Sequence, residues 1–464
     1  MNTMSELQRQ LFLQQQNGKL LRQAADFSYQ YLQQAPQAPA FPKQSALDLL
    51  SAFEHDLPDK TGDAEHILNQ LALKGGPNTV HYGGGRYYGF VNGGVLPIGR
   101  AARWLADTWD QNAALYVMSP IAATLEAQCE KWLKQLFNLP AGTVAGLVTG
   151  TSVASLCGLA AARYRQLTRL NWDIENHGVF GAPKLRIILG RQTHGTVIKM
   201  LNLLGFGQQN IEWIDCDQQG RMQVDNLPEL DASCILVLQA GNVCTGTFDH
   251  FKQIMPIAKR ANAWVHVDGA FGLWAAASPE FARLTDGVEH ANSWSVDGHK
   301  TLNTPYDCGI VLCDDQPAIT HALHQQGSYI QHSGDRDSMM FTPDMSRRAR
   351  GVELWACMAY LGRQGIAELV ELLHHRALYF AKKIRLGGFR VINDVEFNQV
   401  LLRCDNDQQT QQTLVNIQQS GVTWCGPAKW QGDDVIRVSI CSWATTENDI
   451  DVAVDTFVKA RHNT

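Results

Sequence analysis

Two short runs decide how this chain folds: Ala263-Trp264-Val265-His266-Val267-Asp268-Gly269-Ala270-Phe271 and, after a helix-like interval, Asn292-Ser293-Trp294-Ser295-Val296-Asp297-Gly298-His299-Lys300. Trp264 to Val267 is an apolar run with β character that ends in a carboxylate, and Ser293 to Val296 is a second such run that ends in a Gly-His-Lys turn. An acid and a lysine are therefore expected at the carboxyl ends of two neighbouring strands. In an open α/β sheet that edge is where ligands bind. Either residue alone would read as an ordinary surface group, so the weight lies in their combination with a third segment.

That segment is Ala145-Gly-Leu-Val-Thr149-Gly150-Thr151-Ser152-Val-Ala-Ser155-Leu156, read as a strand, a tight turn and a helix reaching about Leu170. The N-terminus of a helix presents free N–H groups, and hydroxyls beside it complete a phosphate site, which makes Gly150, Thr151 and Ser152 the phosphate-binding candidates. A simple capped helix would use the same residue types. A third reading is a nucleophile elbow on Ser152; it needs a downstream histidine such as His266, His299 or His321, and it leaves Lys300 and Asp268 unexplained. A lysine, an acid and a phosphate turn together are what pyridoxal phosphate chemistry requires. The amine condenses with the cofactor aldehyde, and a carboxylate against the ring nitrogen keeps the ring an electron sink. Lys300 is the Schiff-base candidate, Asp268 the ring-nitrogen partner, and Ala270 is small enough for the ring to lie flat over the strand end.

His-Val-Asp-Gly-Ala-Phe at 266–271, Asp-Gly-His-Lys at 297–300 and Pro-Tyr-Asp-Cys-Gly at 305–309 resemble the group II pyridoxal-phosphate decarboxylases, the family of the aromatic amino acid, glutamate and diaminobutyrate decarboxylases. The likeness runs from about Tyr87 to the C-terminus. It implies an α/β protein of the fold-type-I transferase class with a large, mostly parallel sheet and a smaller C-terminal α+β domain. It also implies a homodimer with shared active sites, and decarboxylation of an L-amino acid to an amine and carbon dioxide through a Lys300 aldimine and a quinonoid intermediate.

Residue by residue, the resemblance assigns His194 to stacking on the cofactor ring, and His299 and Asn242 to its surroundings. It makes Tyr88, Phe90 and Asn92, in the glycine-rich segment from His81 to Gly94, candidates for the substrate-pocket wall. Arg437 is matched to a substrate carboxylate, which a guanidinium fork suits. Tyr329 is matched to the family's mobile-loop tyrosine, which returns a proton to carbon; members with phenylalanine there tend toward oxidative deamination. The arginines at 347, 348 and 350 match a run that supports the active-site entrance or a subunit contact, with a solvated helix start as the plain alternative. Two departures stand out, Asp297-Gly298 where Asn-Pro is more frequent and Gly269 where alanine is usual. The alternatives kept open are an aminotransferase, a carbon-carbon lyase and a decarboxylation-coupled oxidative deaminase.

Composition sets the outer bounds. The 464 residues are 45% hydrophobic and 18% charged, enough for a large core, and the net charge of -6 leaves no basic footprint for nucleic acid. No apolar run is long enough to cross a bilayer, and eleven cysteines without CxxC pairs argue against a disulfide framework or a zinc site. A cytoplasmic setting is expected, with no metal. The expected organisation is an N-terminal helical segment over 1–80, a large cofactor-binding domain over 81–375 and a small domain over 376–464. One helix is expected over Ser5–Gln33, and strands at Leu185–Leu189, Cys234–Gln239, Ile310–Leu312, Arg390–Ile392, Gln399–Arg403 and Val435–Cys441.

Overall fold

The computed structural model describes residues 4–323 and 335–464. Seven strands form the large sheet: β1 (Val144–Val148), β2 (Arg186–Gly190), β3 (Ile211–Ile214), β4 (Cys234–Gln239), β5 (Trp264–Asp268), β6 (Ser293–Asp297) and β7 (Gly309–Cys313). Their order is β1-β7-β6-β5-β4-β2-β3. The pairs from β3 through β6 are parallel, while β7 runs antiparallel to both β6 and β1. Parallel strands covered by helices on both faces read as continuous Val/Ile/Leu runs; β1, β4, β5, β6 and β7 are buried along their whole length.

Two apolar layers sandwich the sheet. One gathers Leu147, Ile188, Leu236 and Val265 against the helices Pro120–Leu136 and Phe251–Arg260 and the long helix Gly351–Leu386. The other gathers Val148, Ile187, Val237 and Trp264 against the helices Thr151–Arg169, Gly195–Leu203 and Gln316–Leu323. The helix at Pro120 starts as its sequence suggests, with proline in the first turn and Ser119 Oγ accepting from the Ala122 amide at 3.3 Å.

A second, antiparallel sheet follows: β8 (Arg390–Val391), β9 (Gln399–Arg403), β10 (Gly426–Trp430) and β11 (Asp433–Ser439), in the order β10-β11-β9-β8. Helices Asp407–Gln419 and Glu447–His462 pack on it around Ile436, Val438, Phe457 and Ile417. The last helix opens on a reciprocal cap, Thr446 Oγ1 accepting from the Asp449 amide and Asp449 reaching back to the Thr446 amide. The helical segment Gly351–Leu386 is kinked at Gly362 (φ 58°), and the part after the kink crosses position 376, packing Ile366 and Val370 in the core of the large sheet and Phe380 and Ile384 in that of the second.

One expectation is corrected, and two strands are added to those expected. The N-terminal helix is two, Glu6–Asn17 and Lys19–Gln34, interrupted at Gly18. β3 escapes detection because it is a four-residue edge strand with Glu212 and Trp213 only half covered. β10 carries Pro427, which a sequence reading takes as a break; an edge strand accommodates it. The eleven cysteines are all free thiols. Among the described residues no helix is long and apolar enough to cross a membrane, and no group of three or more His, Cys, Asp or Glu gathers as a metal site.

Candidate active site

The order β7-β6-β5-β4 brings the two decisive turns side by side. Asp268 ends β5 opposite Ser295 of β6, and the Gly269 amide donates to the Ser295 carbonyl at 2.9 Å while the Asp297 amide donates to the Ala270 carbonyl at 2.9 Å. Lys300 follows three residues after β6 ends. Across β7, β1 delivers its own turn, since Gly309 pairs with Val148 and a Cβ on Gly309 would lie 2.3 Å from the Gly150 backbone. Only glycine allows that approach. A cavity of about 340 Å³ opens at these strand ends, lined by Gly150, Thr151, Ser152, His194, Asp268, Ala270, His299 and Lys300, with Thr149, Ser155, Thr196, Gln239, Val243, Asp297 and Tyr306. Small-molecule and cofactor sites have this size.

Asp297 is the centre of the polar network. Its side chain is 2% exposed, and its Oδ2 lies 3.0 Å from Lys300 Nζ and 3.5 Å from His299 Nε2. The same carboxylate accepts from the Thr151 amide at 2.8 Å and from Thr151 Oγ1 at 3.0 Å. His299 Nδ1 accepts from the Cys308 amide at 3.0 Å, which assigns the proton of the neutral ring to Nε2, facing Asp297. Burial holds the His299 pKa below its ordinary value, with Lys300 acting in the same direction and Asp297 and Asp307 against it.

His194 caps the helix Gly195–Leu203, its Nδ1 accepting from the Thr196 amide at 3.3 Å. The residue is accessible on the cavity side. The protein packed around it lowers its pKa, as do Lys300 and Arg437, while Asp268 opposes them. Asp268 is itself nearly buried and accepts from the Ala270 amide at 3.2 Å. A neutral imidazole beside a carboxylate at a strand end can stack on a flat ligand.

The glycine-rich loop meets the site from behind. A Cβ on Gly93 would sit 2.2 Å from the Lys300 carbonyl oxygen, so this loop packs directly on the lysine turn. Tyr306 stacks on His299 with ring centroids 4.3 Å apart and donates to Asn92 Oδ1 at 2.9 Å. Asn92 therefore touches the cavity through Tyr306 rather than lining it. Phe90 is 60% exposed and stacks on Trp424 at 5.3 Å, which in turn stacks on Tyr87 at 5.1 Å.

Of the sequence candidates, Tyr88, Phe90, Asn92, Asn242 and Arg437 do not line the cavity. Tyr88 is 1% exposed, packed in the core of the second sheet against Phe380, and its apolar surroundings drive its pKa up. It and Tyr87 alternate as extended residues do, and it is Tyr87 that faces the aromatic surface. Asn242 is buried in its own turn, its carboxamide oxygen accepting from the Cys244 amide at 2.9 Å and the Thr245 amide at 3.2 Å, an Asx cap that satisfies it locally. Gln239, three residues earlier, lines the cavity instead. Arg437 lies beside the rim rather than within it: Nη1 reaches the carbonyl of the lining residue Val243 at 3.4 Å, and its buried Nε has no hydrogen-bond partner among the described residues. Tyr329 lies outside the described residues.

The hydrolase reading of Ser152 loses its histidines. His266 is fully buried against Ser293 Oγ at 2.8 Å, His299 faces Asp297, and His321 pairs with Glu175 at 3.0 Å. Sequence reasoning passed over Asp297, Tyr306 and Gln239. Asp297 was signalled by its place three residues before Lys300 on the same tight turn and Tyr306 by its place in the Pro-Tyr-Asp-Cys-Gly run at 305–309; nothing local marked Gln239.

The residues present fit pyridoxal phosphate. An amine, a nearly buried carboxylate, an accessible imidazole and the hydroxyl-bearing helix start at Thr151 and Ser152 face one cavity, and a buried guanidinium nitrogen without a hydrogen-bond partner among the described residues stands beside it. Residues 47–405 match the pyridoxal-dependent decarboxylase conserved domain. The chain is 26% identical to tryptophan decarboxylase 1 of Oryza sativa subsp. japonica, over 93% of this chain and 90% of that protein. It is 24% identical to 4-hydroxyphenylacetaldehyde synthase of Rhodiola rosea, over 92% and 91%. Its fold superposes on the crystal structure of Oryza sativa TDC with PLP and tryptamine with a TM-score of 0.88 at 23% identity, over 96% of this chain and 97% of that one. The chain belongs to the pyridoxal-dependent decarboxylase family and is a pyridoxal phosphate-dependent carboxy-lyase of amino acids.

Proposed function

We propose that this enzyme releases carbon dioxide from an L-amino acid with an apolar or aromatic side chain and yields the corresponding amine. The observation that carries the reading is the convergence of Lys300, Asp268, His194 and the Thr151-Ser152 helix start on one cavity of about 340 Å³. Bound pyridoxal phosphate supplies an aldehyde that captures the substrate amine and a ring that accepts the electron pair left by departing carbon dioxide. Lys300 would hold the cofactor through its side-chain amine, which faces the cavity. Asp268 keeps a proton on the ring nitrogen. The His194 imidazole, neutral at working pH, stacks on the ring and keeps it planar. Ser152 and the amides behind it bind the phosphate.

Arg437 orients the substrate carboxylate, supported by its unpartnered Nε and its place beside Val243. Tyr329 protonates the carbon, as the family resemblance implies. An aromatic side chain is supported by the rings of Tyr306, Tyr82, Tyr87, Trp424 and Phe90, which run in succession from the cavity outward, and by the tryptophan and tyrosine decarboxylases among the relatives. A homodimer is supported by the apolar residues left exposed near the N-terminal helices and beside them, Leu7, Leu11, Leu21, Trp104, Leu105 and Ile121.

The test is the visible spectrum of the purified protein and of Lys300→Ala, followed by a carbon dioxide release screen across the amino acids. Wild type is expected to show a cofactor band that borohydride traps on Lys300, to be active on aromatic or apolar amino acids, and to lose both band and activity in Lys300→Ala. A wild type that binds no pyridoxal phosphate when it is supplied in excess would refute the reading.

A further inference from the structure

The first turn of the Thr151–Arg169 helix does not present all of its free donors to a ligand. The amides of Thr151, Ser152 and Val153 precede the first intrahelical bond, from the Ala154 amide to the Gly150 carbonyl at 3.0 Å. The first of them is already taken by Asp297 Oδ1 at 2.8 Å, and the Thr151 hydroxyl by Oδ2 at 3.0 Å. That Oδ2 is also 3.0 Å from Lys300 Nζ. One buried carboxylate thus joins the amine and the anion-binding turn, which belong to different strands of the sheet.

We propose that Asp297 is a positioning residue: its carboxylate bridges the Lys300 ammonium and the Thr151 turn in the protein without cofactor, holding the two ends of the cofactor site in register before pyridoxal phosphate enters. This rests on the reading of the cavity as the cofactor site. Two consequences follow from the geometry. The phosphate falls to the Ser152 and Val153 amides and the Ser152 hydroxyl, the donors that Asp297 leaves free. The amine is held 3.0 Å from that carboxylate and must leave it before it can reach a ligand in the cavity. The other groups facing Lys300 and its neighbourhood are His299 on the same turn, His194 and Asp268 across the cavity, Tyr306, and Cys441 two residues past the end of β11. None of them joins Lys300 to the Thr151 turn by an ion pair.

The experiment uses the full-length protein freed of cofactor. Trace acetylation at one fixed pH near 8 is followed by mass spectrometry, with the exposed Lys252 and Lys429 as internal standards. Asp297→Asn keeps an acceptor for the Thr151 amide but removes the charge. Lys300 is expected to acetylate about fivefold faster in that variant, because its amine is no longer held in the ion pair with Asp297. A Lys300 rate within twofold of wild type overturns the proposal. Inorganic phosphate binding to the same cofactor-free protein, measured by calorimetry, is expected to tighten several-fold once the competing carboxylate charge is gone; weaker binding, as from a turn that has merely loosened, overturns it. Thr151→Val, which keeps the carboxylate, guards against a misfolded Asp297 variant. It is expected to leave Lys300 no more reactive than in wild type, and a rise overturns the bridge. Pyridoxal phosphate added to wild type must protect Lys300 from acetylation; if it does not, the cofactor reading fails independently of Asp297.

Discussion

Arg347 and Glu126 form an ion pair at 2.9 Å with their side chains 1% and 0% exposed. The guanidinium also donates to the Leu147 carbonyl at 2.7 Å and to the Ala113 carbonyl at 2.9 Å. Arg347 is therefore not a solvated helix start; it braces β1 just before the turn that carries Thr151. Removing one member leaves an uncompensated buried charge, which costs about 3–5 kcal/mol. Arg347→Met is expected to lower the urea midpoint of unfolding by a corresponding amount. Replacing both residues by apolar ones is expected to cost less than either single change.

Asp268→Asn preserves an acceptor for the Ala270 amide, which Asp268 now engages at 3.2 Å, but cannot hold a proton on the cofactor ring. Pyridoxal phosphate is expected to remain bound, visible by its absorption band. Carbon dioxide release is expected to fall by roughly 10²–10⁴-fold, the scale of a lost proton-holding group. Unchanged turnover would remove Asp268 from its role.

Tyr329→Phe tests the carbon-protonation assignment. If Tyr329 returns the proton, the variant is expected to yield less amine and to form aldehyde, ammonia and hydrogen peroxide in aerated buffer. Amine and peroxide assays on the same sample read the partition. A variant that still makes amine alone assigns the proton donor to another group.

His266 sits under the sheet with both ring nitrogens near serine hydroxyls, Ser293 Oγ at 2.8 Å and Ser295 Oγ at 3.5 Å. Burial pushes its pKa down to about 3 from 6.5. Below pH 6.5 the unfolded chain binds this proton and the folded protein does not, so stability falls as pH drops from 6.5 toward 3, by about 1.4 kcal/mol per unit from this group. His266→Leu is expected to flatten that part of the stability profile while lowering stability at pH 7. A wild-type slope that survives the substitution assigns the acid sensitivity to other buried groups.

The fold was legible wherever burial made the pattern continuous. β4 has the expected bounds at both ends and β7 is longer by two residues, each a run of Val, Ile and Leu as strands covered on both faces are; β5 and β6 are each longer by one residue, marked by Trp and Val between polar positions that are buried as well. β3 and β10 were not, since edge strands tolerate polar residues and proline. At the cavity, Lys300, Asp268, His194 and Ser152 were legible because each ends or begins an element whose boundary the sequence marks. Tyr88 misled because two tyrosines in succession point to opposite sides, and nothing local says which side is core.

By itself the sequence determined the α/β class, the strand ends that carry the acid and the lysine, and the helix start that suits an anion, because these depend on hydrophobic period and on turn chemistry within a few residues. Only the tertiary structure decided the partners. Asp297 meets Thr151 across 146 positions of chain, Arg347 meets Glu126 across 221, and Asn92 meets Tyr306 across 214. Such pairs are set by strand order and packing, which bring distant segments within hydrogen-bonding reach and leave no periodic mark in the chain.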